Sequence, residues 1–429
     1  MHELSQMIKD DMKPALGVTE PGAIAFAVAK ARSFTKGDIK KVNVAMNSGM
    51  YKNAFTCGIP NSNKVGNMFA AALGVVAGNA DKGLESLADV TPEDNVKAQE
   101  MIDQGKVTVE LSGITSRIFI EATVETEEDK AIVTIRDSHT NITKITVNDK
   151  VELETEDEKK TEEDGGEEEA HSIHKYTLQQ LYDYVTTVDI EEIRFINEAY
   201  KVNLELFHEG LENPRTTFAR QLLAINNGKE VSDDEQKTAS LMCNAAIEAR
   251  VIGLDKPAMS ITGSGAHGII ATMPLYAAYK VNGYTEEQLL RATALSYLVC
   301  MYIKEYSGRL SAFCGCAIAA GSGMACALVY LRGGTVEMMA HTLNNMASSI
   351  TGMICDGGNQ GCTMKGVAAV DAAYKSVEFA MNGIYISEVH GINGNTPEET
   401  MRNMGLIASP GMVGTEKTIV EIFEDKLKK

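Results

Sequence analysis

The fold of the first part of the chain is decided by one stretch, VTVELSGITSRIFIEATVETEEDKAIVTIRDSHTNITKITV, residues 107–147. Apolar and polar residues alternate in four runs, whose starts at Val107, Ile118, Ala131 and Ile142 lie 11, 13 and 11 residues apart. Alternation with a period of two, broken by Gly, Asp and Asn, is typical of half-buried strands joined by short turns. The stretch therefore predicts an antiparallel meander with helices covering one face.

Helical patterns flank this stretch on both sides. Residues 1–35 predict two helices, separated at Pro14 and at the turn around Pro21, and residues 41–46 predict a short strand. Beyond residue 175, several long helical patterns are joined by Gly-rich breaks, which indicates a bundle. The expected fold class is α+β, with an N-terminal domain of a small antiparallel sheet and helices followed by a mostly α-helical bundle domain.

An acidic run marks the expected boundary between these domains. Residues 152–169 hold eleven Asp or Glu and two Lys, a net charge of −9. Such a run is typical of a solvated loop, and nothing in it imposes the geometry of a cation site. We expect an α+β domain at 1–150, an acidic linker at 151–172, a helical domain at 173–385, and a C-terminal segment at 386–429 that packs back on the first domain.

The charge and apolar content exclude several classes of function. The chain has 429 residues, 44% of them hydrophobic, and 40 Lys and Arg against 59 Asp and Glu give a net charge of −19. Such a chain repels nucleic acid and anionic lipid. The first residues lack the pattern of a secretory signal, and the uncharged run 310–331 is rich in small residues rather than in Leu, Ile and Val. We expect a cytoplasmic protein with no nucleic-acid or membrane partner.

The motif Gly263-Ser-Gly-Ala-His-Gly268 has three interpretations. It matches G-x-G-x-x-G after a strand-like run, which is typical of dinucleotide sites, yet the residues around it are almost wholly helical. It could also be a glycine-rich helix start required for close packing. Alternatively, backbone amides at a helix N-terminus bind an anion such as a substrate carboxylate, with His267 beside it as an acid or base.

Cysteines are concentrated in one part of the chain. Six of the eight fall between residues 300 and 362. The spacings C-x-C at Cys314 and Cys316, and C-x₆-C at Cys355 and Cys362, fit the usual zinc patterns poorly. Iron–sulfur ligands tolerate irregular spacing and fit better, whereas buried, inert thiols are the alternative.

The chain resembles the L-cysteine desulfidase family, which is related to the alpha part of bacterial iron–sulfur L-serine dehydratases. The motifs that carry the resemblance are LGVTEP (16–21), KNAFTCGIP (52–60), GSGAHG (263–268), SGRLSAFCGC (307–316) and MICDGGNQGC (353–362). The resemblance implies a 4Fe-4S cluster held by Cys355, Cys362 and a third cysteine. Comparison with serine dehydratases favours Cys314 over Cys316 for that third position.

The resemblance also implies an activity, β-elimination of L-cysteine to pyruvate, ammonia and sulfide, without pyridoxal phosphate. Catalytic roles are expected for His267 and Lys52. Asn53, Ser264 and Arg309 are expected to bind a small amino-acid substrate, although a structural ion pair is an equal explanation for Arg309. The sequence leaves a homodimer open.

One residue departs from the family pattern. Val18 stands where the family has Cys in the element Leu-Gly-Cys-Thr-Glu-Pro. Valine cannot transfer protons, so an L-serine dehydratase-like activity, an altered substrate or a non-catalytic relative remain open. Cys57 is a candidate for a relocated thiol, against its ordinary role as a small buried hydrophobe.

Overall fold

A computed structural model describes residues 1–115, 117–156, 172–308 and 310–428. The strands are β1 (Lys13–Leu16), β2 (Ile39–Asn47), β3 (Val107–Gly113), β4 (Phe119–Thr126), β5 (Lys130–Arg136), β6 (Ile142–Val147), β7 (Lys150–Glu154) and β8 (Pro257–Ser260). The helices before the acidic run are α1 (Glu3–Asp11), α2 (Thr19–Arg32), α3 (Ser48–Ala54), α4 (Asn67–Ala77) and α5 (Pro92–Asp103). The later ones are α6 (Leu178–Thr187), α7 (Ile190–Ile193), α8 (Asn197–Glu212), α9 (Phe218–Ile225), α10 (Glu235–Val251), α11 (Gly265–Asn282), α12 (Glu286–Ser307), α13 (Gly321–Leu331), α14 (Val336–Ile350), α15 (Gly361–Met381), α16 (Pro397–Leu406) and α17 (Val413–Leu427).

The larger sheet has the order β3-β2-β4-β5-β6-β7. Strands β4 to β7 form an antiparallel meander, as the alternating runs predict. The prediction is wrong for β3, which pairs in parallel with β2 instead of antiparallel with β4. Alternation identifies which residues face the core but does not identify the neighbouring strand, and β2 lies between the two. Helices α2 and α4 cover one face of this sheet, and the α+β class is confirmed.

The sheet extends beyond the boundary expected at residue 150. Residues 151–154 belong to β7, an edge strand on β6, and an ion pair of 2.9 Å joins Lys144 to Glu154 across the two strands. The expected loop is therefore wrong for these residues, because alternating Glu side chains are compatible with a solvent-exposed edge. Residues 157–171 of the expected linker lie outside the described residues.

The helical region is packed around α10, α11, α12, α13 and α15. Every residue of α10 from Thr238 to Val251 is buried, as is every residue of α13 except Tyr330. The uncharged run 310–331 thus forms an internal helix and the irregular segment before it. Among the described residues, no helix combines the length and apolar character needed to cross a bilayer.

A small second sheet joins the two regions. β1 pairs antiparallel with β8, and each strand leads into a helix, α2 after β1 and α11 after β8. The two helix N-termini meet, with the Thr19 hydroxyl 3.4 Å from the carbonyl oxygen of Gly263. At the other end of the chain, α17 packs on α3, where the rings of Phe55 and Phe423 stack 4.5 Å apart.

The last glycine of the G-x-G-x-x-G motif is required by packing. A Cβ atom at Gly268 would lie 1.8 Å from the carbonyl oxygen of Met259 in β8. This distance excludes any side chain, because the obstacle is backbone. The motif therefore holds α11 directly against β8, which lies in a two-stranded sheet rather than in the parallel sheet of a dinucleotide fold.

We expect Gly268→Ala to lower the free energy of unfolding by about 3 kcal/mol, since β8 and α11 must separate to admit the methyl group. Gly414→Ala is the matched control, because a Cβ there would meet nothing within 4 Å in α17. It should leave stability unchanged or raise it by about 0.5 kcal/mol. Urea unfolding measures both, and equal midpoints for the two variants would contradict this packing.

Candidate active site

Two segments that are far apart in the sequence pair and bring Cys314 next to Cys355. The backbone N–H of Cys314 donates to the carbonyl oxygen of Met353 at 2.7 Å, and that of Cys355 donates to Ala312 at 2.8 Å. Phe313 and Ile354 face each other in the resulting antiparallel bridge. This pairing therefore fixes the positions of Cys314 and Cys355 relative to each other. Cys316 lies two residues further on, at the start of a π-helical turn that leads into α13.

Cys362 is brought to the same place by a short loop that ends in α15. The Asn359 side chain, one residue before the N-cap Gln360, accepts a hydrogen bond from the N–H of Gly361 at 2.7 Å and so fixes the turn that leads into this helix. The Cys362 sulfur lies 3.4 Å from the carbonyl oxygen of Gly357. The loop thus folds back on itself, and the Cys314 and Cys355 thiols are close enough to Cys362 to contribute to the rise of its pKa, although burial is the main cause.

This loop, residues 355–362, lies directly on α3 and on the start of α2. A Cβ atom at Gly357, where φ is +101°, would lie 2.4 Å from the carbonyl oxygen of Lys52. The N–H of Gly358 donates to the carbonyl oxygen of Asn53 at 3.0 Å. A Cβ at Gly358 would lie 2.6 Å from a methyl carbon of Val18. Val18, the residue that departs from the family pattern, therefore lies against the loop of residues 355–362.

The thiols interact with one another and with buried lysines. Burial raises the pKa of Cys362 to about 12, and the neighbouring Cys316 thiol together with burial raises the pKa of Cys314 well above its usual value. Burial lowers the pKa of Lys304 to about 8, against the opposing effect of nearby thiols that include Cys316 and Cys355. A buried ammonium group beside thiols stabilises their thiolate form, which is the form that binds a metal ion in place of the proton.

The chemistry of this donor set decides which group it fits. Among the described residues, no three His, Cys, Asp or Glu side chains are placed to hold a metal ion. A single zinc ion needs donors about 2.0–2.3 Å from one centre, whereas an iron–sulfur cluster distributes its thiolate ligands over several irons. Several grouped thiols with a buried lysine therefore fit a thiolate-held cluster in donor chemistry.

His267 lies at the start of α11 and faces the Cys-Gly-Cys element. A Cβ atom at Gly315 would lie 2.8 Å from His267 Nε2 and 3.1 Å from the Lys304 ammonium. Nδ1 lies 2.5 Å from the hydroxyl of Thr262. Burial and the charges of Lys304 and Arg250 lower the pKa of His267 well below its usual value. The imidazole is therefore neutral at pH 7 and can accept a proton at Nε2 only as a weak base.

Lys52 does not have the surroundings of a base. Its ammonium donates to Glu416 of α17 at 2.9 Å, with both side chains buried, and Glu416 also accepts from the Ser48 hydroxyl at 2.5 Å. Burial alone would lower the pKa of Lys52, but the Cys355 thiol and the Glu416 carboxylate raise it. The residue is held as an ammonium ion, which argues against the catalytic role expected from the sequence.

The other predicted substrate contacts have different surroundings. Asn53 lies in the site, since its Oδ1 is 3.7 Å from the Cys355 sulfur and its Nδ2 donates to Glu20 at 2.8 Å. Ser264 is the N-cap of α11, with no capping hydrogen bond from its side chain. Arg309 lies outside the described residues.

Cys57, the candidate for a relocated thiol, is fully buried, and its thiol contacts the carbonyl oxygen of Ala54 at 3.4 Å.

Sequence reasoning missed four buried charged residues around this site, namely Glu20, Arg250, Lys304 and Glu416. A signal was present for one of them. Arg250 ends a helix whose last fourteen residues carry otherwise only one charge, Glu248. A charge within such an apolar pattern is expensive to bury and therefore indicates either a partner or a function.

Comparison with known proteins relates this chain to the alpha chains of serine dehydratases and to UPF0597 proteins. The sequence pattern of the family described as serine dehydratase alpha chain matches residues 81–421, which include all the cysteines of the site. A UPF0597 protein of Clostridium botulinum is 40% identical over 98% of each chain. Those of Caldanaerobacter subterraneus and Bacteroides fragilis are 36% and 33% identical, each over 99% of this chain and 98% of the relative.

We expect Glu416→Gln to lower the free energy of unfolding by about 3–5 kcal/mol, because it leaves the Lys52 ammonium buried without its counter-charge. The matched control is Glu421→Gln on the same helix, whose contact with Lys417 is 3.9 Å long and exposed. That change should cost less than about 0.5 kcal/mol. Thermal unfolding of both variants checks the difference, and a small effect of Glu416→Gln would show that the buried pair is not coupled.

Proposed function

Since this chain belongs to the serine dehydratase alpha chain family, we propose that it is an iron–sulfur-dependent lyase that removes the β-substituent of a small amino acid, with L-cysteine as the substrate. The reaction breaks the Cα–H and Cβ–S bonds of L-cysteine. It releases sulfide and aminoacrylate, which water hydrolyses to pyruvate and ammonia. The resemblance to L-cysteine desulfidases in five ordered motifs supports this choice of substrate.

One observation carries the proposal. The backbone pairing of residues 312–314 with 353–355 places Cys314 beside Cys355, and the loop that follows returns Cys362 to the same cluster. A fold that needed these cysteines only as small hydrophobic residues would have no reason to group them. Cys326 shows that ordinary role, because its pKa is raised by burial alone and it lies inside α13.

The residues of the chain have distinct roles in this reaction. Cys314, Cys355 and Cys362 would hold a 4Fe-4S cluster, which when bound supplies Lewis acidity to the substrate. His267 Nε2 accepts the Cα proton, since it is the neutral nitrogen that faces the thiols. Asn53 orients the substrate through its side-chain amide, which already touches the Cys355 thiol.

A second candidate substrate is L-serine, which loses hydroxide instead of sulfide and gives the same pyruvate and ammonia. Val18 favours this alternative, because an aliphatic side chain contacts Gly358 where the desulfidases have a thiol. Purification without oxygen, followed by iron analysis and assays of pyruvate and sulfide from each amino acid, distinguishes the two substrates. Protein without iron, or iron-loaded protein inactive on both amino acids, would contradict the proposal.

The cysteine assignment is tested by single Ser variants. Cys314→Ser, Cys355→Ser and Cys362→Ser should each lose most of the iron and the broad absorbance of a cluster, since oxygen replaces a thiolate ligand. Cys326→Ser is the control and should retain both. Iron retained in Cys314→Ser but lost in Cys316→Ser would move the third ligand to Cys316.

Val18→Cys should raise the rate of sulfide release from L-cysteine about 10²–10⁴-fold, the range typical of an added acid–base group. The iron content should stay constant, because the change restores proton transfer rather than cluster binding. Val28→Cys, in the buried part of the same helix, is the matched control and should have no such effect. Fast desulfidation by the unaltered protein, with no gain from Val18→Cys, would show that no thiol is required at this position.

A further inference from the structure

Arg250 is a buried cation that has no ion-pair partner among the described residues. It lies at the C-terminal end of α10 and is 4% exposed. Its Nε makes no hydrogen bond, and within the described parts of the chain no carboxylate lies within 4.0 Å of its guanidinium group. Burying a charge without a partner is expensive, so such a group in a folded protein calls for a ligand.

The guanidinium group lies against the N-terminus of α11. A Cβ atom at Gly265, the first residue of this helix, would lie 2.6 Å from Nε and 3.2 Å from Cδ of Arg250. The helix has 18 residues, and the side chain of Ser264 does not cap it. The first backbone N–H groups of a helix lack intrahelical acceptors and carry a partial positive charge. Two independent features therefore favour an anion at one place.

Nearby charges do not satisfy this cation. Glu20 of α2 is a buried carboxylate that interacts electrostatically with Arg250. Burial would raise the pKa of Glu20, but His139, Asn53 and Arg250 together lower it to about 2. Glu20 is already bonded, to Asn53 at 2.8 Å, and it lies 3.8 Å from His139. It balances the charge of Arg250 from a distance, while the Nε–H of the guanidinium group remains without an acceptor.

We propose that Arg250 and the N-terminus of α11 bind the α-carboxylate of the amino-acid substrate, an inference that rests on the proposed function. A planar guanidinium group binds a carboxylate through two parallel hydrogen bonds, and the helix amides add to the charge compensation. His267 lies in the first turn of the same helix with Nε2 toward the Cys-Gly-Cys element. A carboxylate held there lies next to the group that accepts the Cα proton.

Binding measurements on the full chain, purified without oxygen, test this site. The probes are L-serine and propionate, which carry a carboxylate, and ethanolamine, which lacks one. Arg250→Gln should weaken binding of both carboxylates about 10–100-fold, the value of a charge-assisted pair, and leave ethanolamine binding unchanged. Arg250→Lys, which keeps the charge but loses the fork, should give an intermediate loss. Arg220→Gln is the control, because Arg220 is exposed and its guanidinium group donates a hydrogen bond to the Pro214 carbonyl oxygen at 3.3 Å.

The melting temperature separates a binding role from a structural one. Without ligand, Arg250→Gln should melt at about the same temperature as the unaltered protein, because it removes the unsatisfied Nε–H while Glu20 keeps its hydrogen bond with Asn53. A melting temperature several degrees lower, with carboxylate affinity unchanged, would make Arg250 a structural residue and overturn the inference. If Arg250→Gln does not fold, Arg250→Lys decides, and affinity equal to that of the unaltered protein would overturn it as well.

Failure of the inference is distinguishable from failure of the proposed function. An unaltered protein that binds neither L-serine nor propionate overturns the carboxylate site. Arg250-dependent binding of propionate, in a protein that neither holds iron nor converts L-serine or L-cysteine, supports the carboxylate site and contradicts the proposed lyase. Normal turnover by Arg250→Gln, with an unchanged KM, supports the lyase and overturns the role of Arg250.

Discussion

Direct backbone contact at glycines is the constraint on which the rest of the structure depends. Gly58, at the end of the N-terminal helical segment, donates its N–H to Val251 at 2.8 Å, and a Cβ there would lie 2.1 Å from the carbonyl carbon of Ile252. Gly268 and Gly357 make equally close approaches to β8 and α3. At each position the two parts of the chain meet without an intervening side chain. The sheet-bearing and helical regions therefore share one core, and the candidate site lies where they join.

Buried charge is the second feature that organises this junction, and it is handled in two ways. Lys52 and Glu416 are paired at 2.9 Å, so their mutual attraction and the hydrogen bond from Ser48 offset the cost of removing them from water. Arg250 has no such partner among the described residues. The buried Lys52–Glu416 pair is thus fully satisfied, whereas the Arg250 guanidinium group is not. This contrast is typical of a structural ion pair beside a binding site.

The cysteine cluster depends on both regions. Its thiols belong to the helical region, but the loop that carries two of them rests on Lys52, Asn53 and Val18 from the first sixty residues. The α2 N-terminus therefore lies directly against the loop that carries Cys355 and Cys362. A substitution at residue 18, more than three hundred residues away in sequence, would be made in contact with this loop.

Much of the fold followed from the sequence alone. Period-two alternation identified the strands of the meander, and helical periodicity identified the bundle. The motifs also indicated the relation to serine dehydratase alpha chains and the segments that hold the cysteines, because these depend on local spacing and residue type. The insertion of β2 between β3 and β4 could not be predicted in this way, since alternation contains no information about strand partners.

The tertiary structure alone decided which charged groups belong together. From the sequence, Lys52 was expected to act as a catalyst, and only its contact with Glu416, 364 residues later, showed it to be an ion-paired residue. Arg250 was not identified from the sequence, although its position within the apolar pattern of α10 was a signal of burial. Burial and partnership are properties of three-dimensional packing between distant segments. Spacing along the chain indicated the type of chemistry to look for, whereas only packing determined which charged side chains are ion-paired and which are not.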